Sequence, residues 1–185
     1  MPKRSFLFLA AFATLLALSG CSSFGPGTSP PQRALDALHD DIGGLLIALD
    51  LPRGIGPMPG ASSLTYAIPS ARPIKAVLIA ADADEIASQL PPPGNGRAYY
   101  FLALAPADRT SIRTLEAGAR SANLAPTSIT FTVTPGLCES AIVDPKSVTI
   151  SILAATPGGQ HLVPLVDHHS LAEFIGASAG LPACP

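Results

Sequence analysis

The sequence predicts a mainly β protein: an antiparallel β-sandwich, immunoglobulin-like or transthyretin-like, with one or two short helical insertions. Short apolar segments of strand length recur along the chain, and several alternate between apolar and polar residues as half-buried strands do. Turns rich in proline and glycine separate them, with 20 prolines and 16 glycines among 185 residues. Because the clearest helix falls between two strands, a two-layer α+β arrangement stays open as the alternative.

The composition indicates a folded domain with an aliphatic core. Charged residues make up 13% of the chain, about half the usual quarter. Hydrophobic residues make up 48%, which argues against the disorder that many prolines could suggest. Aromatic residues are few and tryptophan is absent. The formal net charge is −2 and no basic cluster is present, so a nucleic-acid partner is not expected.

The first half of the domain contains four predicted strands and two short predicted helices. The strands are expected at 45–51, 63–68, 74–80 and 97–104. The helices are expected at 33–41 and 82–90, and residues 52–61 are expected to form a loop or extended chain.

The longest predicted helix spans residues 106–122. Ile112, Leu115 and Ala119 form its apolar stripe, and Arg109, Arg113, Glu116 and Arg120 are assigned to its solvated side.

The second half of the domain returns to β structure. Strands are predicted at 128–134, 147–154 and 161–166. Pro164 cannot donate a ladder hydrogen bond, so the last strand should be an edge strand or contain a bulge. The Ser170 to Glu173 segment matches a capping box and predicts a short final helix.

The N-terminus has the three parts of a secretory signal. Lys3 and Arg4 supply positive charge, residues 6–18 are apolar, and Leu18-Ser19-Gly20-Cys21 follows. These four residues resemble the lipobox of bacterial lipoproteins, a family in which the cysteine is diacylated, the signal is cut before it and the new N-terminus is acylated. An uncleaved anchor is disfavoured because thirteen helical residues reach only about 20 Å of a roughly 30 Å hydrocarbon core. An ordinary signal peptide would end in an Ala-x-Ala-like site, which is absent.

The resemblance implies a three-part organisation. Residues 1–20 are a signal peptide, residues 21–32 are the lipidated Cys21 (a site of palmitate attachment) with a flexible tether, and residues 33–185 are one periplasmic domain. Ser22 stands where an aspartate would retain such proteins at the inner membrane. This resembles sorting to the cell outer membrane.

Two cysteines remain once Cys21 carries lipid. In an oxidising compartment Cys138 and Cys184 can pair in only one way, which predicts a disulfide bond. Two free thiols or a metal-binding pair are the alternatives.

The candidates for chemistry are few. His161, His168 and His169, with Asp167, form the only histidine-rich segment and are the candidate metal ligands, although neighbouring strand residues point to opposite faces. His39, Asp40 and Asp41 are interpreted as exposed polar residues of a short helix. No catalytic motif and no cofactor-binding motif is found. In Tyr99-Tyr100-Phe101, alternation places Tyr100 on one face and its two neighbours on the other. One of the two faces is expected to pack in the core, and the other could be a binding surface; packing in the core or across strands is the default interpretation.

These patterns favour a non-enzymatic envelope lipoprotein that acts as a structural or protein-interaction module. Its expected partners are the membrane, through the Cys21 lipid, and another envelope protein. A lipoprotein that binds a small ligand or a metal is the alternative, and it predicts an apolar pocket or converging histidines.

Overall fold

The computed structural model describes residues 35–185 except residues 70, 83, 89, 158–161 and 176–179. Four features of the sequence analysis therefore lie outside the described residues: the predicted signal peptide, Cys21, the predicted tether and His161. No helix in the described part is both long and apolar enough to span a bilayer.

The described chain alternates strands with short helices and turns. Its strands are β1 (Leu46–Pro52), β2 (Ile55–Pro57), β3 (Ser63–Ala67), β4 (Ile74–Ala80), β5 (Arg97–Leu104), β6 (Thr130–Thr134), β7 (Leu137–Glu139), β8 (Thr149–Ala155) and β9 (Val163–Ser170). Its α-helices are α1 (Asp84–Ala87), α2 (Pro106–Ser121) and α3 (Leu171–Ile175), and single 3-10 turns occupy Ile42–Gly44 and Pro126–Ser128.

Seven strands form one antiparallel sheet in the order β6-β3-β4-β5-β1-β8-β9. Strand β4 joins its two halves, because residues 74–77 pair with β3 and residues 78–80 pair with β5. Strands β2 and β7 form a separate two-stranded ribbon. The protein is thus mainly β and antiparallel, and its curled sheet confirms the predicted sandwich-like class with helical insertions.

The core lies against one face of this sheet, which we call the inner face. Fully buried Ile47, Leu49 and Leu51 of β1 form the centre, between β5 and β8. Helix α2 adds Ile112 and Ala119, α3 adds Leu171, and the ribbon adds Ile55 and Leu137 to the same cluster. The opposite side of the sheet is the outer face.

Helix α2 follows the prediction closely but differs at one residue. Pro106 occupies the first turn, where its missing N–H costs nothing, and Ile112 and Ala119 are buried as expected. Glu116, assigned to the solvated side, is only 2% exposed. That assignment was wrong, and the buried carboxylate has a structural role described below.

The predicted helix at 33–41 is replaced by turns in the residues described from Leu35 onward. The Asp36 carboxylate accepts the backbone N–H of Leu38 at 2.9 Å, and the Asp40 carboxylate accepts that of Asp36 at 2.7 Å. Aspartate side chains that bond nearby backbone groups compete with helical hydrogen bonds, so the segment forms turns.

Strand β9 satisfies both expectations raised by Pro164. It lies at the edge of the sheet, and its pairing with β8 shifts register twice, at Ile150/Ile152 and at Ile152/Leu153. The strand also continues beyond the predicted end at residue 166, as far as Ser170. The capping-box segment then leads into α3 as predicted.

The predicted disulfide bond joins Cys138 of β7 to Cys184, with their Cα atoms 4.9 Å apart. Backbone hydrogen bonds flank it: Glu139 donates its N–H to Pro182, and Cys184 donates its N–H to Glu139. The bridge and these bonds attach the C-terminal segment to the ribbon.

Candidate functional site on the outer face

The outer face of strands β4, β5, β1, β8 and β9 carries three cross-strand rows of side chains. Residues directly opposite each other in antiparallel strands point to the same face, so the pairing register defines each row. The rows are Ile79-Ala103-Leu46-Ala155, Phe101-Ala48-Leu153-Pro164 and Tyr99-Asp50-Ser151. We call these eleven residues the outer patch.

Large and small apolar side chains alternate across the first two rows. Ala103 precedes Leu46 in one row, whereas Phe101 precedes Ala48 in the next, so the order is reversed between rows. Leu46, Phe101 and Leu153 are half-buried, and the alanines between them are buried. The result is a surface of knobs with shallow hollows between them.

Within the described chain, the helices and the ribbon contribute their buried side chains to the inner core, and Leu46, Phe101 and Leu153 are not part of that core cluster. Val77 and Ile79 of β4 are 41% and 42% exposed on the outer side. Adjoining apolar side chains that stay partly exposed mark an interaction site more often than an isolated exposed residue does.

One ion pair closes the polar end of the outer patch. The Arg97 guanidinium contacts the Asp50 carboxylate at 2.8 Å and also donates to the main-chain oxygens of Asp50 and Thr149. Burial, with the Asp50 charge nearby, raises the pKa of Tyr99 above its ordinary value, so its hydroxyl is neutral near pH 7. Arg97 therefore joins β5, β1 and β8 and neutralises the only carboxylate of the patch.

The outer face of the other half of the sheet has a different chemistry. On β6, Thr130, Thr132 and Thr134 are exposed, and Thr65 of β3 lies opposite Thr132. Lys75 of β4 lies beside Thr65. We call this the threonine half. Its hydroxyls suit contact with water, so the apolar composition of the outer patch is a local property and not a property of the whole face.

The aromatic segment of β5 has the arrangement that alternation predicted. Tyr100 packs against the inner core, whereas Tyr99 and Phe101 belong to the outer patch. The sequence thus predicted that Tyr99 and Phe101 share a face, but not which face is the outer one or which rows surround them, because the neighbours of β5 are distant in sequence.

The candidate metal ligands are not brought together in the described residues. The Nδ1 atom of His168 lies 2.5 Å from Asp167 Oδ1, and the Nε2 atom of His169 lies 3.4 Å from Glu173 Oε2. His161 lies outside the described residues. In the part of the chain that is described, no group of three His, Cys, Asp or Glu side chains has the geometry of a metal site.

A backbone hydrogen bond fixes the position of His168. The residue has a φ of 48°, which is uncommon for a residue other than glycine, and its N–H donates to the Ser151 hydroxyl at 2.9 Å. Ser151 is 3% exposed. Because the serine oxygen accepts a hydrogen bond from the main-chain N–H of His168, this is a structural contact at the strand bulge. It is not a contact between a serine and a catalytic imidazole.

The polar residues near the start of the domain have structural partners. Asp36 contacts the His39 ring at 2.7 Å, and this hydrogen bond lowers the pKa of Asp36. Asp41 accepts two hydrogen bonds from the Arg113 guanidinium, at 2.7 and 3.0 Å, and these lower the pKa of Asp41. These bonds attach the first turns to one another and to α2.

Glu116 is the functional-looking residue that the sequence analysis missed. Its carboxylate accepts the backbone N–H of Gly43 at 2.9 Å, and burial raises its pKa above the ordinary value. It lies four residues after Ile112 and three before Ala119, a spacing that places all three side chains on one helix face. That spacing was the available signal.

A second surface feature is an open groove of about 440 Å³ beside β6. Its lining is mostly apolar and comes from the first described residues and from the segment around β6: Leu35, Asp36, Ala37, Pro126, Thr127, Ile129, Thr130 and Phe131. The groove shares no lining residue with the outer patch, and no histidine is among the described residues that line it.

The outer patch is therefore the leading candidate site: an apolar surface without unpaired charge, presented by five strands of a rigid sheet. The chain matches no family model, no curated protein and no solved structure.

Proposed function

We propose that this protein is a membrane-anchored envelope lipoprotein, without enzymatic activity, whose domain docks to an envelope protein through the outer patch. The observation that carries the proposal is the partly exposed apolar surface formed by Phe101, Leu46 and Leu153 around three buried alanines. Its contrast with the threonine half argues that these positions are apolar because they are contacted.

The anchor inferred from the sequence supports a protein partner over a lipid one. Acyl chains on Cys21 would supply membrane attachment, at about 0.8 kcal/mol per buried methylene. The domain then needs no apolar surface of its own to stay at the membrane. Arg97, the one basic residue beside the outer patch, is engaged by Asp50 and is not available for anionic headgroups.

The anchor is tested by labelling with palmitate. We expect the wild-type chain to incorporate label and to sediment with outer-membrane fractions, and Cys21→Ala to do neither. A labelled Cys21→Ala chain, or an unlabelled wild-type chain, would refute the lipoprotein assignment.

The docking surface is tested by complex size after mild detergent extraction. We expect the wild-type chain to migrate on a native gel as part of a larger assembly and the double variant Phe101→Ser, Leu153→Ser to migrate alone. Ile142→Ser is the matched control, because Ile142 is 99% exposed and belongs to none of the three rows. A wild-type chain that migrates alone would contradict the proposal.

A small-ligand lipoprotein is the second candidate, and the groove beside β6 favours it. Its volume of about 440 Å³ lies within the usual range for small-molecule sites. Native mass spectrometry of the protein purified from its own envelope would detect a bound molecule. We expect Phe131→Ala to lose such a molecule if the groove holds it. Retention of the molecule by this variant would exclude the groove as its site.

A further inference from the structure

We infer that the partner at the outer patch is a second copy of this chain, so that two sheets pack face to face through their outer patches. This inference rests on the proposed function, since it names the partner of the same surface.

The alternation of large and small side chains is the first argument. Sheets that pack face to face interdigitate their side chains, and alternating large and small residues let them do so. Phe101 and Leu153 stand on either side of Ala48, and Leu46 stands between Ala103 and Ala155. A second copy has the same strand and row spacing, so its large side chains can lie over the small positions of the first copy.

Charge is the second argument. Two identical surfaces bring like charges together, which is unfavourable unless those charges are already neutralised. The only charged residue in the three rows is Asp50, and Arg97 holds it with one side-chain and one main-chain contact. Two copies of the outer patch can therefore meet without unpaired charges, whereas an acidic or basic partner would find no counter-charge there.

Area sets the expected strength. Strands about 4.8 Å apart and rows about 6.7 Å apart give the patch a footprint of roughly 20 by 20 Å, or roughly 400 Å². A standard interface buries about 800 Å² per partner, so the contact is half of that. We expect a weak pair, favoured where tethering to one membrane raises the local concentration.

The test uses the full chain in its own membrane, expressed as two copies with different epitope tags. A photo-crosslinking phenylalanine analogue replaces Phe101 in one copy. We expect a product of twice the chain mass that carries both tags. The same analogue at Thr132, on the threonine half, and at Ile142 should give no such product.

A charge in the partner copy sharpens the test. Leu153→Glu in the copy without the crosslinker should reduce the two-tag product at least tenfold, whereas Thr132→Glu should leave it unchanged. Each variant is first checked for the Cys138–Cys184 bridge by its mobility with and without reductant. If Leu153→Glu fails that check, the yields at positions 101, 132 and 142 in otherwise unaltered chains still decide the question.

The outcomes separate this inference from the proposed function. A product that joins Phe101 to a different envelope protein would overturn self-association and still support a protein-docking role. No protein product from position 101, or a product with lipid alone, would overturn both. Equal two-tag yields from positions 101, 132 and 142 would overturn self-association through the outer patch.

Discussion

Replacement of Glu116 is the sharpest test of how the first turns are held on α2. The carboxylate accepts the Gly43 N–H at 2.9 Å in a site where Glu116 is 2% exposed. Gly43 approaches α2 so closely that a Cβ there would lie 2.7 Å from the Cγ atom of Arg113. Glu116→Ala leaves a buried donor unsatisfied, which costs about 1–3 kcal/mol. We therefore expect Glu116→Ala to lower the free energy of unfolding by about 2 kcal/mol.

Glu116→Gln separates the hydrogen bond from the charge. Its amide oxygen can still accept the Gly43 N–H, so at acid pH the variant should match the wild type. Because burial raises the pKa of Glu116 from its ordinary 4.5, the protonated form is favoured in the folded state. Its stabilising contribution is complete below the unfolded pKa and is lost as pH rises through the folded pKa. Glutamine does not titrate, so the variant should become the more stable protein as pH rises.

The assay is urea unfolding followed by far-ultraviolet circular dichroism at about pH 4 and about pH 7.5. Asp41, whose pKa is lowered by its hydrogen bonds to Arg113, contributes stability that is lost as pH falls, and this loss occurs in both proteins. The charge of Asp41 also raises the pKa of Glu116, so it adds to the expected difference between them. Equal destabilisation by alanine and glutamine would refute the acceptor role. A difference between glutamine and wild type that does not change with pH would refute the raised pKa.

Three further predictions concern the disulfide bond, the Arg97–Asp50 ion pair and the two faces of the sheet. Cys138→Ala with Cys184→Ala opens a bridge between residues 46 positions apart, so we expect a loss of about 4 kcal/mol in urea unfolding, and no loss would contradict it. Arg97→Ala leaves the partly buried Asp50 carboxylate without its partner. The same assay should show a loss of about 2–3 kcal/mol in the free energy of unfolding, less than for a fully buried pair. A loss under about 0.5 kcal/mol would contradict a stabilising role of the Arg97–Asp50 ion pair. In thermal unfolding, Ile152→Ala on the inner face should cost about 3 kcal/mol and Ile79→Ala on the outer face under about 1 kcal/mol, and equal costs would contradict the assignment of faces.

Local patterns in the sequence were enough to predict most individual strands. The segments 74–80 and 97–104 coincide with β4 and β5 because their apolar runs end at proline, aspartate or glycine-rich turns. On β6 the threonines are exposed and Phe131 and Val133 pack against the core, as strict alternation predicts. These signals are short-range, and turn residues delimit them.

Features that depend on distant partners were not predictable in the same way. The ribbon pairs Ile55–Pro57, which lies in a segment expected to be loop or extended chain, with Leu137–Glu139. A strand of three residues is too short for an alternating pattern to be recognised in the sequence. The outer patch combines residues of five strands, and its rows follow from the order of strands in the sheet. Tyr99 and Phe101 were assignable to a face, but the hollows at Ala48 and Ala103 required the register.

Glu116 shows how local pattern and tertiary contact can disagree. A glutamate beside three arginines reads as solvated, although its spacing from Ile112 and Ala119 places it on the buried stripe. What decides its burial is the 3-10 turn at Ile42–Gly44, which supplies the backbone donor. Nothing near Glu116 in the sequence announces that donor.

The order of strands in the sheet also governs when the fold can form. Strand β1 is the first of the described strands to be synthesised. It nevertheless lies inside the sheet, where Leu49 pairs with Tyr100 on one side and with Ile152 on the other. A chain emerging from its N-terminus must therefore keep β1 unpaired until β5, and then β8, have followed. Contacts of such long range slow folding. The emerging chain thus stays open to proteases and chaperones until its last third is present.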